Sequence, residues 1–161
     1  MRYFTVLFFF VSSTSFGQNT ISEVLKKYNN ENISYITVED ASKKSNLVFL
    51  DARELNEFNT SHIKGAIHVG FNTFNQDLIL NNFNNKEIIL VVYCSLGVRS
   101  EKIGEQLLKL GYKNIYNLFG GIFEWKNKGL YIVDKFEKET ENVHTFSKEW
   151  AKYLIKGNKI Y

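Results

Sequence analysis

Apolar positions recur along the chain with two different periods, and the switch between them marks out the elements. From Gln18 to Asn32, Ile21, Val24, Leu25 and Tyr28 stand at helical spacing and predict a helical lead-in over residues 18–34. "SYITV" and "NLVFLDA" read as strands. "EDASKKS" and "ELNEFNTS" read as short helices, the first with Glu39 and Asp40 suited to its positive N-terminal end. "AIHVG" is a brief strand, and "FNTFNQDLILNNF" a helix or loop. "EIILVVY" is apolar throughout, without alternation, as expected of a central parallel strand covered on both faces. In "RSEKIGEQLLKLG", Ile103, Leu107 and Leu110 fall at i, i+4 and i+7, and Gly111 suits a C-cap. "KNIYNLF" is a further strand and "GGIFEWKNKG" opens another helix. Five strands alternating with helices predict an α/β domain with a mainly parallel five-stranded sheet and helices on both faces. The charged tail, residues 134–161, contains "TFSKEWAKYLI". Phe146, Trp150, Tyr153 and Leu154 would share one face there, so the tail reads as a helical extension.

The first 17 residues have a different character. Arg2 precedes an apolar run from Tyr3 to Val11, too short for a membrane span of roughly 20 residues. Ser15-Phe16-Gly17 has small residues at its first and third places, which suits cleavage before Gln18. The expectation is a signal peptide over residues 1–17 and an exported protein, periplasmic or secreted, with no membrane span after cleavage. No cysteine follows the cleavage point, so no lipid anchor is expected. The remaining length fits one domain with a real core. A net charge of +3 with no dense basic run argues against nucleic-acid binding.

Cys94 is the only cysteine in 161 residues. A lone cysteine in an exported chain has no partner for an internal disulfide and is a candidate reactive thiol. It follows the apolar strand directly, and in open parallel sheets active sites lie beyond the carboxyl ends of strands. Ser95, Leu96, Gly97 and Val98 must then turn the chain into a helix beginning near Arg99 and Ser100. Gly97 permits a backbone that other residues resist. Successive N–H groups in such a turn converge on one point, and the helix end adds its own. Arg99 adds a full charge. These features favour a thiolate, whereas burial would favour the inert thiol; both states stay open on the local pattern alone. His62, His68 and His144 lie far apart and, with one cysteine, make no zinc pattern. Neither G-x-G-x-x-G nor a P-loop occurs.

Three ordered motifs then give a resemblance. Cys94-Ser95-Leu96-Gly97-Val98-Arg99-Ser100 matches the active-site pattern of the rhodanese-like domains: cysteine, four residues, arginine, then serine or alanine. Upstream, "LDARELNEFNTSHIKGAIHV" carries Asp51, Arg53, Glu57, Phe58, His62, Ile63, Gly65 and Ala66 at that family's spacing, with Ser61 in place of its usual glycine. Downstream, "GYKNIYNLFGGIFEWKNKGLYIV" resembles the family's closing segment through Gly120, Gly121 and Trp125, with Tyr131 in place of its usual proline. The resemblance covers residues 35–133.

It implies sulfur transfer through a persulfide on Cys94. The donor would be thiosulfate or a persulfide, the acceptor cyanide, a thiol or a protein thiol, and neither a metal nor an organic cofactor would take part. Residues 95–100 would form the substrate loop, with Asp51 and Arg53 in support, although an Asp51–Arg53 ion pair or a plain helical pair of Arg53 with Glu57 would account for them equally. His62 reads as structural, Gly120 and Gly121 as a tight turn, and Trp125 as core. The uncharged side chains of Ser95, Leu96 and Val98 point away from thiosulfate, since thiosulfate-preferring rhodaneses often carry a cation there. Two other classes stand behind this expectation. One is a non-catalytic binding or regulatory module. The other is a cysteine phosphatase or arsenate reductase, whose loops place five residues between cysteine and arginine where this chain has four.

Overall fold

The structure, a computed structural model, describes residues 20–161. The expected signal peptide, residues 1–17, lies outside the described residues. Helix α1 (Ile21–Tyr28) opens on a capping box in which Thr20 and Glu23 satisfy each other's backbone amides. Then follow β1 (Tyr35–Ile36), α2 (Val38–Lys43), β2 (Leu47–Asp51), α3 (Leu55–Thr60), β3 (Ile67–His68), α4 (Gln76–Asn82), β4 (Ile89–Tyr93), α5 (Val98–Lys109), β5 (Asn114–Leu118) and α6 (Gly121–Asn127). The open question over residues 71–83 resolves as α4, because Asn75 caps the amides of Asp77 and Leu78.

The five strands form one parallel sheet in the order β1-β5-β4-β2-β3. Strand β4 sits at the centre, and Leu90, Val91, Val92 and Tyr93 are each 0% exposed, so both faces are covered. Leu90 and Val92 pack with Ile79 of α4 and with Ile103 and Leu107 of α5. Val91 and Tyr93 pack on the other face with Val24 of α1, Ala41 of α2, and Ile122 and Phe123 of α6. Parallel strands bring the carboxyl ends of β2 and β4 to one edge, with Asp51 in register with Tyr93. Cys94 is the next residue at that edge.

The tail corrects one expectation. Residues 134–161 are not a helical extension but strands and turns: β6 (Ile132–Val133) pairs with β7 (Glu139–Thr140), and β8 (Asn142–His144) with β9 (Asn158–Ile160). Only a four-residue 3-10 turn, Trp150–Tyr153, is helical. The backbone has other partners: Thr145 N donates to Ile160 O, and the amides of Ile155 and Lys156 donate to the side chain of Asn127. Phe146 has φ +64°, outside any right-handed helix, so the four-residue spacing of the aromatics is not a helical face.

Gly121 is where α6 meets the Cys94 loop. Ile122 N donates to Cys94 O at 2.9 Å and Phe123 N to Ser95 O at 3.2 Å. At φ +54°, a Cβ on Gly121 would collide with the Cys94 carbonyl oxygen and lie 2.8 Å from Ser95 backbone atoms. At Gly111, φ is +89° but a Cβ would meet nothing within 4 Å. Gly111→Ala is therefore expected to cost about 1–2 kcal/mol of conformational strain, and Gly121→Ala clearly more, in urea unfolding midpoints. Equal losses would show that close approach to the loop is not what requires Gly121.

Candidate active site

Residues 94–97 cross from the central strand to α5, and three elements hold them. Gly97, at φ +123°, is the N-cap of α5 and brings its amide to 3.1 Å from Cys94 Sγ. The Gly97 carbonyl accepts from Asn117 Nδ2 of β5 at 2.8 Å and from Asn29 Nδ2, at the end of α1, at 2.9 Å. This double acceptance fixes the Gly97–Val98 peptide, next to the Leu96–Gly97 peptide whose amide faces the sulfur. The Ser100 hydroxyl lies 3.6 Å from Sγ and 2.8 Å from Asn117 Oδ1, and has one proton for either.

Burial would raise the Cys94 pKa, since the thiol is 2% exposed. Arg99, the Ser100 amide and hydroxyl, and the Gly97 amide together outweigh that, and the pKa falls below the ordinary cysteine value. Both states left open by the sequence are thus reconciled: the sulfur is buried, yet its surroundings favour the thiolate.

Arg99 is also bound by a carboxylate. Its Nη1 donates to Glu57 Oε2 at 2.6 Å and its Nη2 to Glu57 Oε1 at 2.7 Å, with a further bond from Nη2 to Ser95 Oγ at 3.1 Å. Burial works against the Glu57 charge, but the Arg99 hydrogen bonds and charge more than offset it, and the Glu57 pKa is lowered. A phenyl ring, Phe146, lies over the guanidinium at 4.8 Å from its centroid.

Asp51 and Arg53 make a separate, fully buried pair. Arg53 Nη2 donates to Asp51 Oδ2 at 2.6 Å and to the Ser61 carbonyl at 2.6 Å, and Arg53 Nε to Asp51 Oδ1 at 3.0 Å. The helical Arg53–Glu57 pair is not formed, because α3 begins only at Leu55 and leaves Arg53 outside it. Above Cys94 opens a cavity of about 250 Å3, lined by Tyr28, Cys94, Ser95, Leu96, Val98, Arg99, Phe146 and Trp150. Among the described residues, no group of three His, Cys, Asp or Glu side chains is placed to hold a metal ion.

The chain that carries this cysteine loop at the end of a central parallel strand matches the rhodanese-like domain over residues 34–128. The chain belongs to the rhodanese-like domain family. Among curated relatives, the thiosulfate sulfurtransferase GlpE of Coxiella burnetii is 29% identical over 94 residues, which are 58% of this chain and 85% of that protein. The tRNA uridine(34) hydroxylase of Hamiltonella defensa is 36% identical over 91 residues, 55% of this chain. The chain spans only 26% of that hydroxylase's length. The solution structure of the rhodanese-like domain of an Anabaena sp protein superposes with a TM-score of 0.57 at 19% identity, over 65% of this chain and 81% of that one, which bears on the fold alone.

The rhodanese-like loop brings together Cys94, Ser95, Leu96, Gly97, Val98, Arg99 and Ser100 as one turn and helix start. Asp51 and Arg53 are close by but do not line the cavity. His62 is structural: it stacks on Phe58 at 3.9 Å between centroids and bonds the Phe58 carbonyl and Glu137. Sequence reasoning missed Asn29, Asn117, Tyr28, Phe146 and Trp150, and misassigned Glu57. For Asn117 a signal existed: a polar residue inside a buried strand needs a partner.

The charge arrangement predicts opposite shifts for two variants. Arg99→Met removes the cation and should raise the pH midpoint of Cys94 alkylation by iodoacetamide. Glu57→Gln removes the competing carboxylate and should lower it. Arg99→Met also strands a buried carboxylate and should cost about 3 kcal/mol or more in unfolding free energy. Because the Glu57 pKa is lower when folded, its stabilisation is present above the ordinary carboxylate range and is lost as pH falls through the depressed value. A midpoint unmoved in both variants would mean that Arg99 does not act on the thiolate.

Proposed function

We propose that the protein is a sulfurtransferase, moving a sulfane sulfur from a donor to a nucleophilic acceptor through a persulfide on Cys94. The observation that carries the reading is the convergence of the Gly97 and Ser100 amides and Arg99 on a buried Sγ whose pKa is lowered. With thiosulfate, the Cys94 thiolate attacks the outer sulfur. The S–S bond of the donor breaks, sulfite leaves with the electron pair, and a Cys94 persulfide anion forms with no net redox change. Cyanide then attacks the terminal sulfur, leaves as thiocyanate and returns the thiolate; a thiol acceptor leaves as a persulfide in the same way. The loop amides hold the persulfide charge in a site where dipoles are already aimed, which is the economical way to stabilise an anion away from water. Similarity to a protein named as a thiosulfate sulfurtransferase over most of that protein's length supports the reading.

The site is proposed to work outside the cytosol, with residues 1–17 removed. The support is the order of Arg2, apolar run and Ser15-Phe16-Gly17. N-terminal sequencing of native protein is expected to begin at Gln18; Met1 retained on a cytosolic form would refute export.

Fully reduced protein treated with sulfane-sulfur donors should gain the mass of one sulfur on Cys94, and cyanide should remove it as thiocyanate. Cys94→Ser should gain none, since a hydroxyl forms no persulfide. No adduct from any donor would end the enzyme reading and leave a binding module. Phosphate-ester hydrolysis lost in Cys94→Ser would turn the reading to a phosphatase.

A further inference from the structure

The cavity over Cys94 has walls that the sulfur chemistry does not require. Leu96 and Val98 come from the loop itself. Tyr28 comes from α1, and Phe146 and Trp150 from the tail. These three aromatics lie outside residues 34–128, the span of the family match. Tyr28 and Trp150 touch each other at 6.1 Å between centroids and continue the wall.

Among the described lining residues, the permanently charged side chain is Arg99, and its charge is already paired. Both terminal nitrogens bond Glu57, one also bonds Ser95, and Phe146 covers a face. A compact dianion entering here would give up its water for apolar walls and for a cation already paired with Glu57, which is costly. An apolar body would gain from the same walls. The volume of about 250 Å3 lies just below the range of about 300–1,000 Å3 typical of drug-sized ligands, so it suits a small organic group.

Phe146 gives an independent sign. Its φ is +64°, unfavourable for a bulky side chain. Ser147 N donates to Thr145 O across it at 2.6 Å, and Phe146 N donates to His144 Nδ1 at 3.1 Å, so the strained turn is held from both sides. The residue is nevertheless 54% exposed. Core packing therefore does not explain the strain; its result is a ring placed at the cavity mouth over Arg99. Strain of this kind, retained at the mouth of a reactive site, points to a use there.

We infer that the cavity selects sulfur donors with an apolar organic body, small aryl or alkyl hydropersulfides, over inorganic thiosulfate, and that Tyr28, Phe146 and Trp150 determine this specificity. The inference rests on the sulfur-transfer reading. In the step, the Cys94 thiolate attacks the outer sulfur of R–S–SH. The donor S–S bond breaks, R–S⁻ leaves with the electron pair, and Cys94–S–SH forms; one negative charge stands on each side and nothing is oxidised overall. The R group sits between the aromatic walls while its two sulfurs lie over the Gly97 amide.

Stable probes isolate the R group. Benzenethiosulfonate and methanethiosulfonate carry the same charge and the same transferable sulfur and differ in body; thiosulfate has no organic body. Rates of Cys94 persulfide formation are measured by intact mass at limiting donor and normalised to each donor's reaction with free cysteine. The phenyl donor should exceed the methyl donor by about tenfold or more, the order expected for added apolar groups in a fitted pocket, and thiosulfate should be slowest. Phe146→Gly, which accepts the positive φ, and Tyr28→Ala, at a half-exposed position, should each bring the phenyl-to-methyl ratio toward one. A general structural loss would slow both donors alike and keep the ratio, which would overturn the inference. A ratio near one in the wild type, or thiosulfate fastest, would overturn it while leaving sulfur transfer intact. No adduct from any of the three would remove the sulfur-transfer reading and this inference with it.

Discussion

Arg99 is shared between two anions: the Glu57 carboxylate, held by hydrogen bonds of 2.6 and 2.7 Å, and the Cys94 thiolate, whose charge it stabilises. A thiolate that is 2% exposed is penalised by desolvation and needs compensation. An unpaired arginine beside it would supply this strongly but would itself be a poorly solvated charge. Glu57 resolves the conflict by balancing Arg99 and fixing its fork. The thiol form of the site is then neutral, and the thiolate form carries one net negative charge, stabilised first by Arg99 and then by the Ser100 amide and hydroxyl and the Gly97 amide.

Glu57 can do this only because α3 is held at the right place. Glu57 Oε2 accepts the Glu54 amide at 3.0 Å, so the same carboxylate closes the first turn of its own helix. Arg53 ties the segment at both ends, bonding Asp51 before α3 and the Ser61 carbonyl after it. Asp51 in turn ends β2, in register with Tyr93 at the end of β4. The position of the arginine's partner thus traces back to strand register in the middle of the sheet.

These dependencies explain what the sequence made legible. Strand and helix periodicity gave the α/β class, the central strand and the place of Cys94, because those follow from which faces are buried. The loop was legible because its residues are consecutive. The partner of Arg99 was not, since Glu57 lies 42 residues upstream and its nearest arginine in sequence, Arg53, suggested a helical pair. Asn29 and Asn117 were hidden for the same reason: they act on Gly97 O from 68 and 20 residues away. The tail misled because its aromatics stand at helical spacing while their backbone is committed to β9 and to Asn127.

The flanks divide the labour with the core in a physically sensible way. The proposed sulfur transfer would need amides and charges held in fixed geometry, and a buried parallel sheet supplies that rigidity. On the inference that the cavity sorts donors by their apolar bodies, its wall needs only shape and surface, so it suits segments that pack on the domain without entering the sheet. Helix α1 does some of both. Its last residue contributes Tyr28 to the cavity, and the next, Asn29, donates to the Gly97 carbonyl that aims the loop. Loss of α1 would therefore disturb the loop itself, through a buried carbonyl left with one donor. Loss of the Phe146 ring would leave the Glu57–Arg99 bonds in place and remove a cover over Arg99 and one wall of the cavity. The two flanks are thus unequal: one is bonded to the loop that carries Cys94, and the other meets that loop through the cavity and the Phe146 ring over Arg99.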